Sequence, residues 1–141
     1  MRKIVFANQK GGCAKTTSVI NLASALAEIG HKVLIIDLDP QANATFWVDV
    51  ENNSDCSSRL FEENFDINSI IYQTSMKNLS IVPATQKLSE IKTLLKNTKD
   101  DLLRVKKSVL KLKKGWDFIL IDTPPTLGYL TMNALVSADE L

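Results

Sequence analysis

Residues 8–17, NQKGGCAKTT, put two glycines, a lysine and two threonines into one short stretch. In a loop of small residues successive backbone N–H groups can point inward, and the N-terminus of a following helix adds partial positive charge. Together they bind phosphate. Gly11 and Gly12 supply the backbone freedom, Lys15 would reach β and γ phosphates, and Thr16 would offer a hydroxyl to Mg2+. The common spelling of such a loop has glycine six residues before the lysine and again directly before it; here those places hold Gln9 and Ala14. Three carboxylates extend the pattern: Asp37 and Asp39 stand two apart after one apolar run, and Asp122 ends another. A carboxylate at a strand end can hold Mg2+ through water while a neighbour meets an attacking water. The residues leave open which of Asp37 and Asp39 takes which part. Any one of these acids alone would read as a turn former; three on the rim of a phosphate loop favour metal and water chemistry.

These groups work only if the chain brings them together. Residues 3–7, KIVFA, form a β-branched and aromatic run without polar alternation, which predicts a strand buried on both faces of a parallel sheet. From Lys15 to Ile29 the apolar residues Val19, Leu22, Ala23, Leu26 and Ile29 recur at three and four, and Gly30 supplies a stop, so a helix follows the loop. KVLIIDLDP gives a second strand over Val33–Ile36, cut off by acids and a proline. Residues 45–78 begin in the loop-like DVENNSDCSS and predict two or three small helices. LSIVPAT reads as a further strand, Ser89 to Leu112 as helical spacing (Leu102, Val105, Val109, Leu112), WDFILID as another strand, and a helix enters near Gly128. Strands alternating with helices indicate an α/β domain with a largely parallel sheet. In such sheets ligands sit beyond the carboxyl ends of the strands. The segments after Ala7, Ile36 and Ile121 all lie there and are expected to converge on one site.

With 141 residues the chain has the length of one domain, expected over residues 1–141. A content of 45% hydrophobic and 23% charged residues excludes disorder and fibrous repeats. The net charge of +1 favours neither nucleic acid nor an anionic membrane as a whole-molecule field. Two cysteines without a CxxC pair exclude a disulfide framework and a zinc site. The apolar run at the start is too short for a signal peptide, and nothing approaches the ~20 residues of a membrane span. A reducing cytoplasm is the expectation.

The motifs resemble those of a known family. KGGCAKTT is similar to the deviant Walker A motif, KGGxGK[ST][ST], of the ParA/MinD superfamily of ATPases. DLDPQAN resembles the switch I segment of ParA/Soj-type partitioning proteins, and FILIDTPPTLGYLTMNALVSADEL resembles their Walker B strand and the helix after it. The resemblance implies a P-loop NTPase-like three-layer α/β/α fold with a mostly parallel sheet. It also implies Mg-dependent ATP hydrolysis, with ATP and Mg2+ as cofactors. Lys10 would be the signature lysine, reaching across an ATP-dependent sandwich homodimer to the partner's phosphates. Lys15 would be the in-cis phosphate lysine, and Thr17 would lie beside the α phosphate. Gly11, Gly12, Cys13 and Ala14 would line the nucleotide. Thr16, Asp39 and Asp122 would form the metal and water side, with Asp39 positioning the hydrolytic water. Lys10, Lys15 and Asp39 would be the catalytic set. A ParB-type centromere-binding protein and nonspecific DNA are the implied partners, in chromosome or plasmid segregation, at a cytoplasmic, nucleoid-associated location.

Gln9 is no anomaly under that resemblance, because the family does not keep glycine there. Ala14 stands where the family usually has glycine. Alanine at positive φ would cost on the order of 1 kcal/mol, whereas in an ordinary conformation it would stiffen the loop. The six basic residues of RVKKSVLKLKKG read as the solvated face of a crossover helix, Cys13 as filler, His31 as an exposed loop residue, and Trp47 and Trp116 as packing residues. Family members usually continue well beyond the place matching Leu141, so the fold is expected to be cut short on its C-terminal side with a sheet edge unfilled. Two alternatives stand beside the partitioning reading: a weakly active or non-catalytic truncated regulator, and another ATPase of the same superfamily acting in division-site positioning.

Overall fold

The computed structural model describes residues 1–50, 55–91, 95 and 99–141. The apolar runs form β1 (Arg2–Phe6), β2 (Val33–Asp37), β4 (Leu79–Val82) and β5 (Phe118–Asp122), joined by a two-residue β3 (Tyr72–Gln73). They make a five-stranded sheet in the order β1-β5-β2-β4-β3. β5 pairs in parallel with both β1 and β2, β2 pairs in parallel with β4, and β3 is antiparallel to β4. β2 lies inside the sheet, so all five of its residues are buried. β1 departs from the expected burial on both faces: only Val5 is buried, because β1 is an edge strand with β5 as its one full neighbour. Beyond it Glu140 forms an isolated parallel bridge to Ile4, and Arg2 and Lys3 pair with Glu140 and Asp139 at 2.6 and 2.8 Å.

Helices cover both faces. α1 (Lys15–Glu28) sets Val19, Ala23 and Ala27 against Val33, Ile35, Leu79, Ile81 and Leu120 on one face. The alternate residues Leu34, Ile36, Val82, Ile119 and Ile121 meet α3 (Arg104–Val109) and α4 (Tyr129–Ser137) on the other. This alternation of strand side chains between two cores makes the expected three-layer α/β/α arrangement, with both faces of the parallel sheet covered. The helical stripe of α1 is narrower than its spacing suggests. Leu22 is 37% exposed and Ile29 is 73% exposed, and small alanines make the close contact instead. Gly30, at φ 99°, is the expected stop; its N–H and that of His31 donate to Ala27 and Leu26 carbonyls.

Residues 45–78 contain the expected small helices: α2 (Asn43–Trp47) begins just ahead of them, and 3-10 turns follow at Ser57–Phe61 and Ile67–Ile70. Of the loop-like DVENNSDCSS, residues 51–54 lie outside the described residues. The helical spacing expected over Ser89–Leu112 also runs through residues 92–94 and 96–98, which lie outside them. Within the described part, α3 ends at Val109 rather than Leu112 and is preceded by a 3-10 turn over Lys99–Leu103. Trp116 packs against the core as expected, but Trp47 does not: it is 67% exposed at the end of α2, next to Phe46 at 84%.

Candidate functional site

The carboxyl ends of three strands meet where the sequence places its acids. The register sets Phe6 beside Asp122 and Asp122 beside Asp37, so the segments leaving β1, β2 and β5 share one rim. Residues 7–14 run from β1 to α1 and carry most of the phosphate-loop residues, and Lys15, Thr16 and Thr17 open the helix. Near the start of the loop the Asn8 side chain accepts a hydrogen bond from the Lys10 N–H at 2.9 Å, which shapes the backbone at Lys10 and leaves its side chain exposed. Gly12 adopts φ 71°, which its lack of a Cβ permits. Ala14 sits at φ 61°, ψ 24° as the N-cap of α1 and has no side-chain cap bond. The loop therefore needs a left-handed residue at 14, and alanine holds that conformation at a cost of about 1 kcal/mol.

Thr16 joins the loop to β5: its hydroxyl donates to Asp122 Oδ2 at 2.6 Å. Burial pushes the Asp122 carboxyl up to about 6; the Thr16 bond works against that rise, the Asp39 charge adds to it, and Lys15 is near enough to lower it. Asp122 is also held by the Thr123 N–H at 3.1 Å, while the Thr123 hydroxyl donates to the Phe6 carbonyl at 2.7 Å. Among the described residues no group of three or more His, Cys, Asp or Glu side chains is built to hold a metal. A cation here would draw on the oxygens of Thr16 and Asp122 together with phosphate and water, the coordination Mg2+ accepts.

Asp37 and Asp39 separate clearly. Asp37 is fully buried and accepts three bonds, from the Asp39 N–H at 3.0 Å, the Thr45 N–H at 3.0 Å and the Thr45 hydroxyl at 2.8 Å. Its carboxyl is pushed up to about 7, by burial first and by the Asp122 charge second. Thr45 in turn accepts from the Ala84 N–H at 2.9 Å, so one hydroxyl ties β2, α2 and the end of β4. Asp39 is 6% exposed, and its carboxylate accepts from the Gln41 N–H at 2.9 Å. Asp37 thus shapes the turn, and Asp39 is the acid beside the Asp122 rim. Sequence reasoning missed Thr45 and Asn8, because a hydroxyl eight residues after its partner, or an amide in a loop, carries no periodic signal.

α3 is divided between buried apolar residues and the ion-paired Arg104 and Lys107 rather than forming a nucleic-acid strip. Val105 and Val109 are buried, Arg104 meets Glu63 and Asp101, and Lys107 meets Asp100. His31 is half-exposed, stacked edge-on to Phe118 beside Asp117. Cys13 is a free thiol of intermediate exposure.

A family profile described as the AAA domain matches residues 1–141. The chain is 41% identical over 140 residues to a chromosome-partitioning ATPase Soj of Treponema pallidum, a match covering 99% of this chain and 55% of that protein. In three dimensions it is similar to a cobyrinic acid a,c-diamide synthase from Mycobacterium smegmatis with bound ATP analog and magnesium. That match has a TM-score of 0.90 and 32% identity, and covers 98% of this chain and 57% of the other. It is also similar to a plasmid partition protein from Borrelia burgdorferi, at a TM-score of 0.87 and 32% identity, covering 98% and 62%. The chain spans about half the length of the curated relatives it matches. Among the described residues no helix is long and apolar enough to cross a membrane.

Proposed function

The chain belongs to the AAA-domain ATPase family, alongside ParA/Soj-type partitioning proteins, and on that premise we propose that it binds ATP with Mg2+ and hydrolyses it as a sandwich homodimer. The observation that carries this reading is the 2.6 Å bond from Thr16 to Asp122, which locks the phosphate loop to the neighbouring strand end with Lys15 and Asp39 beside it. The backbone N–H groups of Gly11 to Thr17 and the N-terminus of α1 bind and orient the phosphates. Lys15 holds the β and γ phosphates and Thr17 the α side, while Cys13 and Ala14 line the nucleotide through their backbone. Thr16 and Asp122 would hold Mg2+, which when bound neutralises charge on the phosphate oxygens. Asp39 orients the attacking water. Lys10, exposed on the same loop, reaches into a partner's site as an arginine finger does.

Acting within a longer ATPase domain of which residues 1–141 are the N-terminal portion, the dimer engages nonspecific DNA, and a ParB-type protein stimulates its turnover during chromosome or plasmid segregation. Its place is the cytoplasm, on the nucleoid. The partitioning relatives and the DLDPQAN segment support this assignment over division-site positioning.

The test is ATP hydrolysis per chain as a function of protein concentration, for wild type and Lys10→Ala. Wild-type turnover is expected to rise with concentration. The variant is expected to lose that rise while retaining ATP binding. Turnover independent of concentration, or unchanged in Lys10→Ala, would overturn the dimer mechanism.

A further inference from the structure

Lys32, Lys77 and Trp116 stand just ahead of β2, β4 and β5, at the amino ends of the parallel strands and away from the phosphate loop. There a cleft of about 770 Å3 is lined by Lys32, Lys77, Lys113 and Lys114 together with Ser75 and Trp116. All four lysines are exposed, and among the described residues none of their ammonium groups is in an ion pair. Among the described residues no carboxylate, imidazole or thiol lines the cleft. The acids beside it are engaged elsewhere: Asp66 accepts from the backbone and side-chain N–H groups of Asn68, and Asp117 accepts from the Lys32 N–H. In a chain of net charge +1 this is a local excess of cations rather than a share of a general field.

The other polar groups of the cleft are one-sided in the same sense. The side-chain oxygens of Asn68 and Thr74 already accept from the Lys113 and Met76 N–H groups, and that of Gln73 from the Ser80 hydroxyl. The Ser75 hydroxyl and the Trp116 indole N–H, by contrast, donate to no atom among the described residues. A cleft that offers cations and donors while its acceptors are occupied takes an anion. The backbone beneath it is fixed: Lys32 and Asp117 exchange bonds in both directions at 2.8 and 2.9 Å, and the Asn78 carbonyl accepts from the Val33 N–H at 2.9 Å. The charges are thus presented by segments that need no rearrangement to receive a ligand.

We propose that this cleft is a second anion site, which binds an oligophosphate, a small molecule carrying several charges on directly linked phosphate groups, without a divalent cation. The volume lies within the roughly 300–1,000 Å3 of small-molecule sites. Four lysines around one such space match a ligand whose charges are concentrated; a nucleic-acid strand carries one charge per phosphate and spreads them along its length. Every cation is a lysine, a point charge without the planar fork that pairs carboxylates, and no arginine lines the cleft. The apolar wall reduces to Ile71 and Trp116, both partly buried and packed on the core, which leaves no pocket for the anchors of a peptide. Metal-free binding follows from the missing carboxylates: the opposite rim draws on Asp122 for Mg2+, and the cleft has no oxygen of that kind to share a cation with the ligand. The site goes beyond the proposed ATPase chemistry and does not depend on it.

Isothermal titration calorimetry of the full chain with inorganic tripolyphosphate, at low ionic strength and in EDTA, tests this. Lys15→Ala takes the charge from the phosphate loop and is expected to keep a single site for the ligand. Adding Trp47→Phe leaves Trp116 as the sole indole, and its emission is expected to change as that site fills. In this background Lys32→Gln/Lys77→Gln/Lys113→Gln/Lys114→Gln is expected to weaken binding at least about tenfold. Lys113→Gln/Lys114→Gln should fall between, and Lys106→Gln, on α3 and outside the cleft, should match its parent. Adenosine tetraphosphate and inorganic tetrapolyphosphate then separate the sources: tighter binding of the former assigns the site to a nucleotide, and equal binding assigns it to the inorganic chain. Absence of the site from Lys15→Ala, a requirement for Mg2+, or undiminished binding by the four-lysine variant would each overturn the cleft. So would polyglutamate or a single-stranded oligonucleotide held as tightly as tripolyphosphate. Mg-ATP affinity of wild type, measured separately, reads the other rim; its absence would sink the ATPase reading and leave this one standing.

Discussion

Ala14 is the residue at which this phosphate loop carries strain. Its φ of 61° belongs to the left-handed region, where a Cβ crowds the carbonyl oxygen, and glycine there has no such cost. Ala14→Gly is therefore expected to stabilise the nucleotide-free protein by about 1 kcal/mol, less the entropy that glycine adds to the unfolded chain. Urea denaturation reads this directly, and a stability lowered by the full entropy of glycine, about 0.4–1 kcal/mol, would show the loop to be unstrained. Because nucleotide binding already finds the left-handed turn formed, affinity should rise by less than about tenfold. Asp37 supplies a second prediction at this scale. Its carboxyl stands at about 7 in the folded protein against an ordinary 3.8. Between those values the unfolded chain gives up its proton while the folded chain keeps it, so stability is fully present below the lower value and declines as pH rises to the higher one. Relative to Asp37→Asn, wild type is expected to lose up to about 1.4 kcal/mol per pH unit across that window. A difference between the two that stays flat or grows with pH would contradict the burial argument.

The elements are tied to one another by a few polar side chains rather than by the sheet alone. Thr45 is the clearest, since its single hydroxyl donates to Asp37 and accepts from Ala84, joining β2, α2 and β4. Thr45→Val keeps the volume but leaves the Ala84 N–H without a partner in a buried place and takes from Asp37 Oδ2 one of its two donors, the residue-45 N–H remaining. The expected loss is about 1–3 kcal/mol, and Thr45→Ser should restore most of it. A valine variant as stable as wild type, by thermal or urea unfolding, would rule out the tie. None of this was legible in the sequence. The strands were legible because β2, β4 and β5 are covered on both faces and so have no polar alternation to obscure them. The convergence of Lys15, Thr16 and Asp122 was legible for a related reason, since parallel strands place their carboxyl ends on one side. Thr45 was not, because side-chain ties between sequence-distant elements have no period. β3 was too short to leave a pattern. Trp47 misled because an aromatic beside a strand end is ordinarily a packing residue, whereas α2 turns both Phe46 and Trp47 outward.

At the scale of the whole molecule, the sheet divides the surface into two ends with different chemistry. The carboxyl ends gather a phosphate loop and buried acids whose protonation is shifted toward neutral pH, and the amino ends gather exposed lysines around a cleft. The central claim is that the first of these is a nucleoside triphosphate site built from Lys15, Thr16 and Asp122. Equilibrium binding of a fluorescent ATP analogue, with and without Mg2+, tests it on wild type, Lys15→Ala and Thr16→Val. Charge-assisted contacts of about 1.5–3 kcal/mol each predict that Lys15→Ala loses at least about tenfold in affinity under both conditions. Thr16→Val should lose specifically the gain that Mg2+ gives wild type. Equal affinity of wild type and Lys15→Ala, or a Mg2+ effect that survives in Thr16→Val, would contradict the account.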